Sequence, residues 1–150
     1  MRINKLVTWT DDQKPFIISS LFKSATKRVD IFTKSLDPGV YNNLVLKTAV
    51  LDFLSVPSRE LCVITSGSVT PRLVFVQEIL RCKDLESRLS IFNSGNFCNG
   101  FPSFYIADQA AYALSDASTG KRQYNSYDPA TASKMARLFN RALTFAERII

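Results

Sequence analysis

The stretch Phe101-Pro102-Ser103-Phe104-Tyr105-Ile106-Ala107-Asp108 reads as a short apolar strand ending in an acid. Gln109 turns the chain, and Ala110-Ala111-Tyr112-Ala113-Leu114-Ser115 runs back as a second strand. A loop with Gly120, Lys121 and Arg122 follows. Tyr124-Asn125-Ser126-Tyr127-Asp128-Pro129 then opens a helix expected to continue to the C-terminus, since Asp128 suits the N-cap and Pro129 the first helical position.

Outward from this unit, Asn93 to Gly100 is an Asn-, Gly- and Ser-rich loop, and Leu85 to Phe92 is a strand with Leu89 and Ile91 alternating. Thr70 and Pro71 start a helix that reaches Lys83 with Leu73, Val76, Ile79 and Leu80 inward. Leu61-Cys62-Val63-Ile64-Thr65 is a continuous apolar run, as in a strand buried on both faces. Asn42 or Asn43 caps a helix bearing Leu44, Leu46, Ala49, Val50, Phe53 and Leu54, which Pro57 ends. Arg28 to Thr33 is a strand, preceded by a helix with Pro15 in its first turn, in which Phe16, Ile17, Leu21, Phe22 and Ala25 recur at helical spacing through Lys27. The alternation predicts an α/β fold: a mostly parallel central sheet, helices on both faces, and a late antiparallel hairpin. No repeat or linker interrupts it, so residues 1–150 read as one domain.

Composition narrows the chemistry. The chain has no histidine, which removes every Ser-His or Cys-His nucleophile pair and every imidazole acid or base. Cys62, Cys82 and Cys98 are odd in number and widely spaced, which suits neither a zinc site nor a disulfide framework. No metal or cofactor is expected. No apolar run approaches the roughly 20 residues that span a bilayer, and the first residues lack a signal-peptide pattern, so no membrane association and a cytoplasmic location are expected. A net charge of +6 favours polyanionic partners.

Val29-Asp30-Ile31-Phe32-Thr33 with Leu36-Asp37-Pro38, the Phe101 to Asp108 strand with its hairpin, and the helix opened by Asn125 and Asp128-Pro129 together resemble the phospholipase D superfamily. The likeness is to its small, catalytically degenerate bacterial members. Active members carry His-x-Lys-x4-Asp and, six residues on, Gly-Ser-x-x-Asn. In the family the histidine attacks phosphorus, while the lysine and asparagine hold phosphate oxygens. Laid on this strand, the histidine position is Phe101, the lysine position Ser103 and the aspartate position Asp108. The Gly-Ser pair falls on Ser115 and Asp116, and the asparagine on Thr119. Only Asp108 matches, so the resemblance implies the fold without the family reaction. It also implies a homodimer, since single-motif members pair two chains to build one site. Asp108 has a structural reading too, as a strand-end acid capping its own turn.

The terminal helix carries the clearest functional pattern. Met135, Leu138, Phe139, Ala142, Phe145, Ala146 and Ile149 share one face at 100° intervals. Lys134, Arg137, Arg141 and Arg148 lie within about 60° on the opposite side. With Lys121 and Arg122 they would form a basic strip along a phosphate backbone, and Tyr124 and Tyr127 would stack on bases. A solvated helix face is the plainer reading. Thr65 to Thr70 is a candidate anion-binding loop, and Asn93 to Phe101, with Phe97, a candidate protein contact. Two functions follow: a non-catalytic binding module with nucleic acid as leading ligand, or a protein-interaction module such as an inhibitor, adaptor or accessory subunit in a phage or defence setting.

Overall fold

Leu61-Cys62-Val63-Ile64-Thr65 runs through the centre of the protein with every residue buried, in keeping with its unbroken apolar character. The computed structural model describes residues 5–66, 74–82, 85, 87–96 and 100–150. Within these, eight strands form one sheet: β1 (Leu6–Thr8), β2 (Arg28–Thr33), β3 (Glu60–Thr65), β4 (Leu89–Asn93), β5 (Ser103–Ala107), β6 (Ala111–Asp116), β7 (Lys121–Asn125) and β8 (Glu147–Arg148). Their order is β1-β7-β6-β5-β2-β3-β4-β8.

The sheet is mixed, and the expectation of a mostly parallel one is corrected. Only β2–β3 and β3–β4 pair in parallel, whereas β1–β7, β2–β5, β4–β8, β5–β6 and β6–β7 are antiparallel. Parallel neighbours need a long crossover, and among strands adjacent in the sheet only β2–β3 and β3–β4 are consecutive with a helical connection between them. From β5 to β7 the chain meanders through short turns. The hairpin predicted at Phe101 to Ser115 is present as β5–β6 and extends into a third strand, β7.

Among the described residues, the helices that cover the sheet are α1 (Lys14–Ser24), α2 (Pro38–Tyr41), α3 (Leu44–Leu54), α4 (Val74–Arg81) and α5 (Pro129–Leu143). Side chains alternate across each strand, so each face has its own core. Val29, Ile31, Leu61, Val63, Leu89, Ile91 and Tyr105 pack under α1, α3 and α4 with Phe22, Leu46, Phe53 and Ile79. Phe32, Ile64, Phe104 and Ile106 pack under α5 with Ala132, Ala136 and Phe139. Small alanines on α5 let the helix lie close on the sheet.

Several helix ends follow from the sequence. Pro15 sits in the first turn of α1. Asn43 caps α3, its Oδ1 accepting from the Val45 N–H at 2.9 Å. Asp128 caps α5, accepting from the Thr131 N–H at 3.2 Å and the Thr131 hydroxyl at 2.8 Å. The C-terminal end of α5 differs from expectation. The helix stops at Leu143, a turn follows, and Glu147–Arg148 returns as β8 on the β4 edge. No helix among the described residues is long and apolar enough to cross a membrane.

Candidate nucleic-acid interface

The positions that a phospholipase D site would use sit at two ends of β5. Ser103 is at its start, with its hydroxyl 3.2 Å from the Thr33 hydroxyl at the end of β2. Phe101 lies just before it, 45% exposed, with its ring edge-on to Phe32 at 6.3 Å. Phe32 in turn stacks on Phe104 at 4.7 Å. This end of the sheet is thus faced by hydroxyls and phenyl rings, and neither Phe101 nor Ser103 offers a nucleophilic nitrogen or a cation. The Thr65 and Ser66 hydroxyls both donate to the Lys34 carbonyl, at 3.0 and 3.1 Å, which engages the start of the candidate anion loop. The rest of that loop and Phe97 lie outside the described residues. Among the described residues, no group of three His, Cys, Asp or Glu could hold a metal ion.

Asp108 lies beyond the other end of β5, away from Ser103. Asp108 and Gln109 both have positive φ, 54° and 55°, and the Ala110 N–H donates to the Ala107 carbonyl at 3.0 Å across the turn. The carboxylate does not cap its own turn, as the sequence reading had it. It accepts from the backbone N–H groups of Thr26 (2.8 Å), Lys27 (2.9 Å) and Arg28 (2.9 Å), in the connection between α1 and β2. Partial burial pushes its pKa up, but these donors, with the Thr26 hydroxyl, outweigh burial and hold it below the ordinary carboxylate value.

The predicted basic strip divides in four. Lys134, Arg137 and Arg141 are exposed on the outer face of α5, as their spacing requires. Among the described residues none of the three makes an ion pair. Arg122 does not join them. It belongs to β7 rather than a loop, and strand alternation turns it with Tyr124 towards α1, on the face opposite α5. There its guanidinium forks the Asp11 carboxylate, Nε to Oδ1 at 2.6 Å and Nη2 to Oδ2 at 3.0 Å. Lys121 is exposed at the Asp116 end of β7, the far end from the start of α5. Arg148 is on β8, its Nε donating to the Ile150 carbonyl at 2.9 Å.

The two predicted stacking tyrosines are each partly buried. Tyr124 is half-buried against the α1-side core. Burial pushes its hydroxyl pKa up against a bond with Ser24 that pulls it down. Tyr127 is half-buried in the turn before α5, where its N–H donates to Asn125 Oδ1 at 3.0 Å. The exposed aromatic beside α5 is instead Phe145, at 69% exposure. The 100° spacing had placed it on the core face, but the helix ends two residues before it.

At the N-terminal ends of β2 and β3 a polar cleft of about 180 Å³ is lined by Arg28, Glu60, Cys62, Arg88 and Leu143. The Arg28 charge is matched by two carboxylates. Arg28 Nε is 2.7 Å from the buried Asp30 carboxylate, and its Nη1 is 3.5 Å from Glu60. Burial pushes the Asp30 pKa up against the pull of Arg28. Burial and the Asp30 charge push the Cys62 thiol up to about 12.

No family model and no curated protein sequence matches the chain. Solved structures do match in shape. A phospholipase D family member, Nuc from Salmonella typhimurium, superposes with a TM-score of 0.69 at 9% identity, covering 98% of this chain and 99% of that one. TrmBL2, an archaeal chromatin protein that binds DNA, superposes with a TM-score of 0.68 at 16% identity. That match covers 98% of this chain, which spans 55% of the chromatin protein. At these identities the likeness is one of fold. The chain has the phospholipase D-like fold that its sequence resemblance implied.

Proposed function

We propose that this chain is a non-catalytic phospholipase D-like module that binds nucleic acid through the outer face of α5. The observation that carries the reading is the trio Lys134, Arg137 and Arg141, exposed on one helix face and unpaired among the described residues. A DNA-binding chromatin protein among the structural neighbours supports it. Phe101 and Ser103 at the histidine and lysine positions, in a chain without histidine, support the absence of hydrolysis.

Binding is measured by fluorescence anisotropy against salt. Three phosphate contacts give a log–log slope of about −2.7 on duplex DNA, from roughly −0.9 per phosphate. The double change Arg137→Glu and Arg141→Glu flattens the slope and weakens all sequences alike, because phosphate contacts do not read bases. Wild type that fails to bind at low salt overturns the reading, and the protein-interaction module then takes its place. Phosphodiester turnover that survives purification and is lost with a point mutation overturns the non-catalytic part.

A further inference from the structure

Phe145 extends the line of cations on α5. The N–H groups of Thr144, Phe145 and Ala146 donate to the carbonyls of Arg141, Ala142 and Leu143 at 3.2, 3.1 and 3.3 Å. These i to i−3 bonds carry the chain through one tighter turn beyond the helix. Phe145 therefore comes about one turn past Arg141, roughly 6–8 Å further along the axis and within about 80° of it. Lys134, Arg137 and Arg141 span about 10 Å of the same side. At 69% exposure, Phe145 ties with Leu44 as the most open large apolar side chain among the described residues, and it stands at the end of the cation line.

An exposed phenyl ring gains little from a hydrated duplex, whose outer surface is phosphate and whose base faces are covered. An unpaired base offers an open π-face next to a phosphate. Cations that track a backbone, with an aromatic on which a base stacks, are the two parts a single-strand site needs. Resting on the nucleic-acid reading above, we infer that the ligand of α5 is single-stranded nucleic acid, with Phe145 as its stacking platform and Lys134, Arg137 and Arg141 on its phosphates. Stacking is indifferent to base identity, so the site takes single strands without sequence preference.

The test compares a single-stranded oligothymidylate carrying one 2-aminopurine with the matching duplex, for wild type, Phe145→Ala, Phe145→Trp and the Arg137→Glu, Arg141→Glu pair. Phe145→Ala is expected to weaken single-strand binding about tenfold or more. It should leave duplex binding and the salt slope unchanged and abolish 2-aminopurine quenching at saturation. Phe145→Trp restores affinity and quenching. The side chain is largely exposed, so the fold survives the change. If Phe145→Ala binds single strands as wild type while the arginine reversals weaken binding, the stacking inference fails and the phosphate-binding face stands. If wild type binds neither form, both fail. Tighter duplex than single-strand binding by wild type also overturns the inference.

Discussion

The Asp108 carboxylate accepts the backbone N–H of Thr26 at 2.8 Å across 82 residues of chain. The Thr26 hydroxyl and the N–H groups of Lys27 and Arg28 complete the set, at 3.2, 2.9 and 2.9 Å. One side chain in the β5–β6 turn thus fixes the entry into β2, the strand between the parallel and antiparallel parts of the sheet. The Asp108 N–H also donates to the Arg28 carbonyl at 2.9 Å, so main chain and side chain act on the same corner.

Asp108→Ala is expected to lower stability by about 2–3 kcal/mol, since hydrogen bonds to a charged group are worth roughly 1.5–3 kcal/mol each before allowance for partial exposure. Asp108→Gly should also destabilise, although glycine prefers the positive φ of 54° found there. Gln109→Gly, at φ 55° and without such bonds to lose, should raise stability by up to about 1 kcal/mol. Urea midpoints measure all three. An Asp108→Ala midpoint equal to wild type removes the carboxylate from this role.

Acid titration separates two carboxylates of opposite sign. The Asp108 pKa is lowered in the fold, so its stabilisation is present above the unfolded value, near 3.8, and is lost as pH falls through the lower folded value. The Asp30 pKa is raised by burial, so its ionisation costs stability as pH rises from the unfolded towards the folded value. Between about pH 6 and pH 2, the loss of stability on acidification should be smaller in Asp108→Asn than in wild type, and larger in Asp30→Asn. The reverse order contradicts both assignments.

Cysteine reactivity follows burial. The Cys62 thiol, pushed up to about 12 and buried, should resist iodoacetamide at pH 8, where about one molecule in ten thousand carries the thiolate. Cys82 is exposed and should label promptly. Mass spectrometry on a Cys98→Ser background reads one modification in the native chain and two in urea. Rapid native labelling of Cys62 contradicts the packing under α5.

Arg122 serves as the internal control for the α5 face. Its bidentate pair with Asp11 lies on the other side of the sheet, so Arg122→Ala should leave nucleic-acid affinity within about twofold of wild type. Its cost in stability should be at most about 1 kcal/mol, because Asp11 is largely exposed. A loss of affinity matching that of the Arg137 and Arg141 reversals argues for the undivided strip.

Features that need only neighbouring residues were legible before any fold was known. The apolar run Leu61 to Thr65 makes a buried strand wherever it is placed, and Asn43 and Asp128-Pro129 start helices through bonds to their own first turns. The spacing of Lys134, Arg137 and Arg141 puts them on one face of any helix that forms there. Features that depend on distant partners came only with the folded sheet. Lys121 to Asn125, too polar to read as a strand, becomes one because β1 and β6 supply hydrogen-bonding edges on both sides. Its register then sends Arg122 to Asp11 and Tyr124 into the core. The β4 edge captures Glu147 and Arg148, with the Ile149 N–H also donating to the Ile91 carbonyl at 2.8 Å. These pairings take the residues that local periodicity had assigned to helix, and Phe145 is left outside the core. Asp108 finds its donors 80 to 82 residues earlier in the chain, a pairing that no local pattern encodes because the folded sheet alone brings the two corners together.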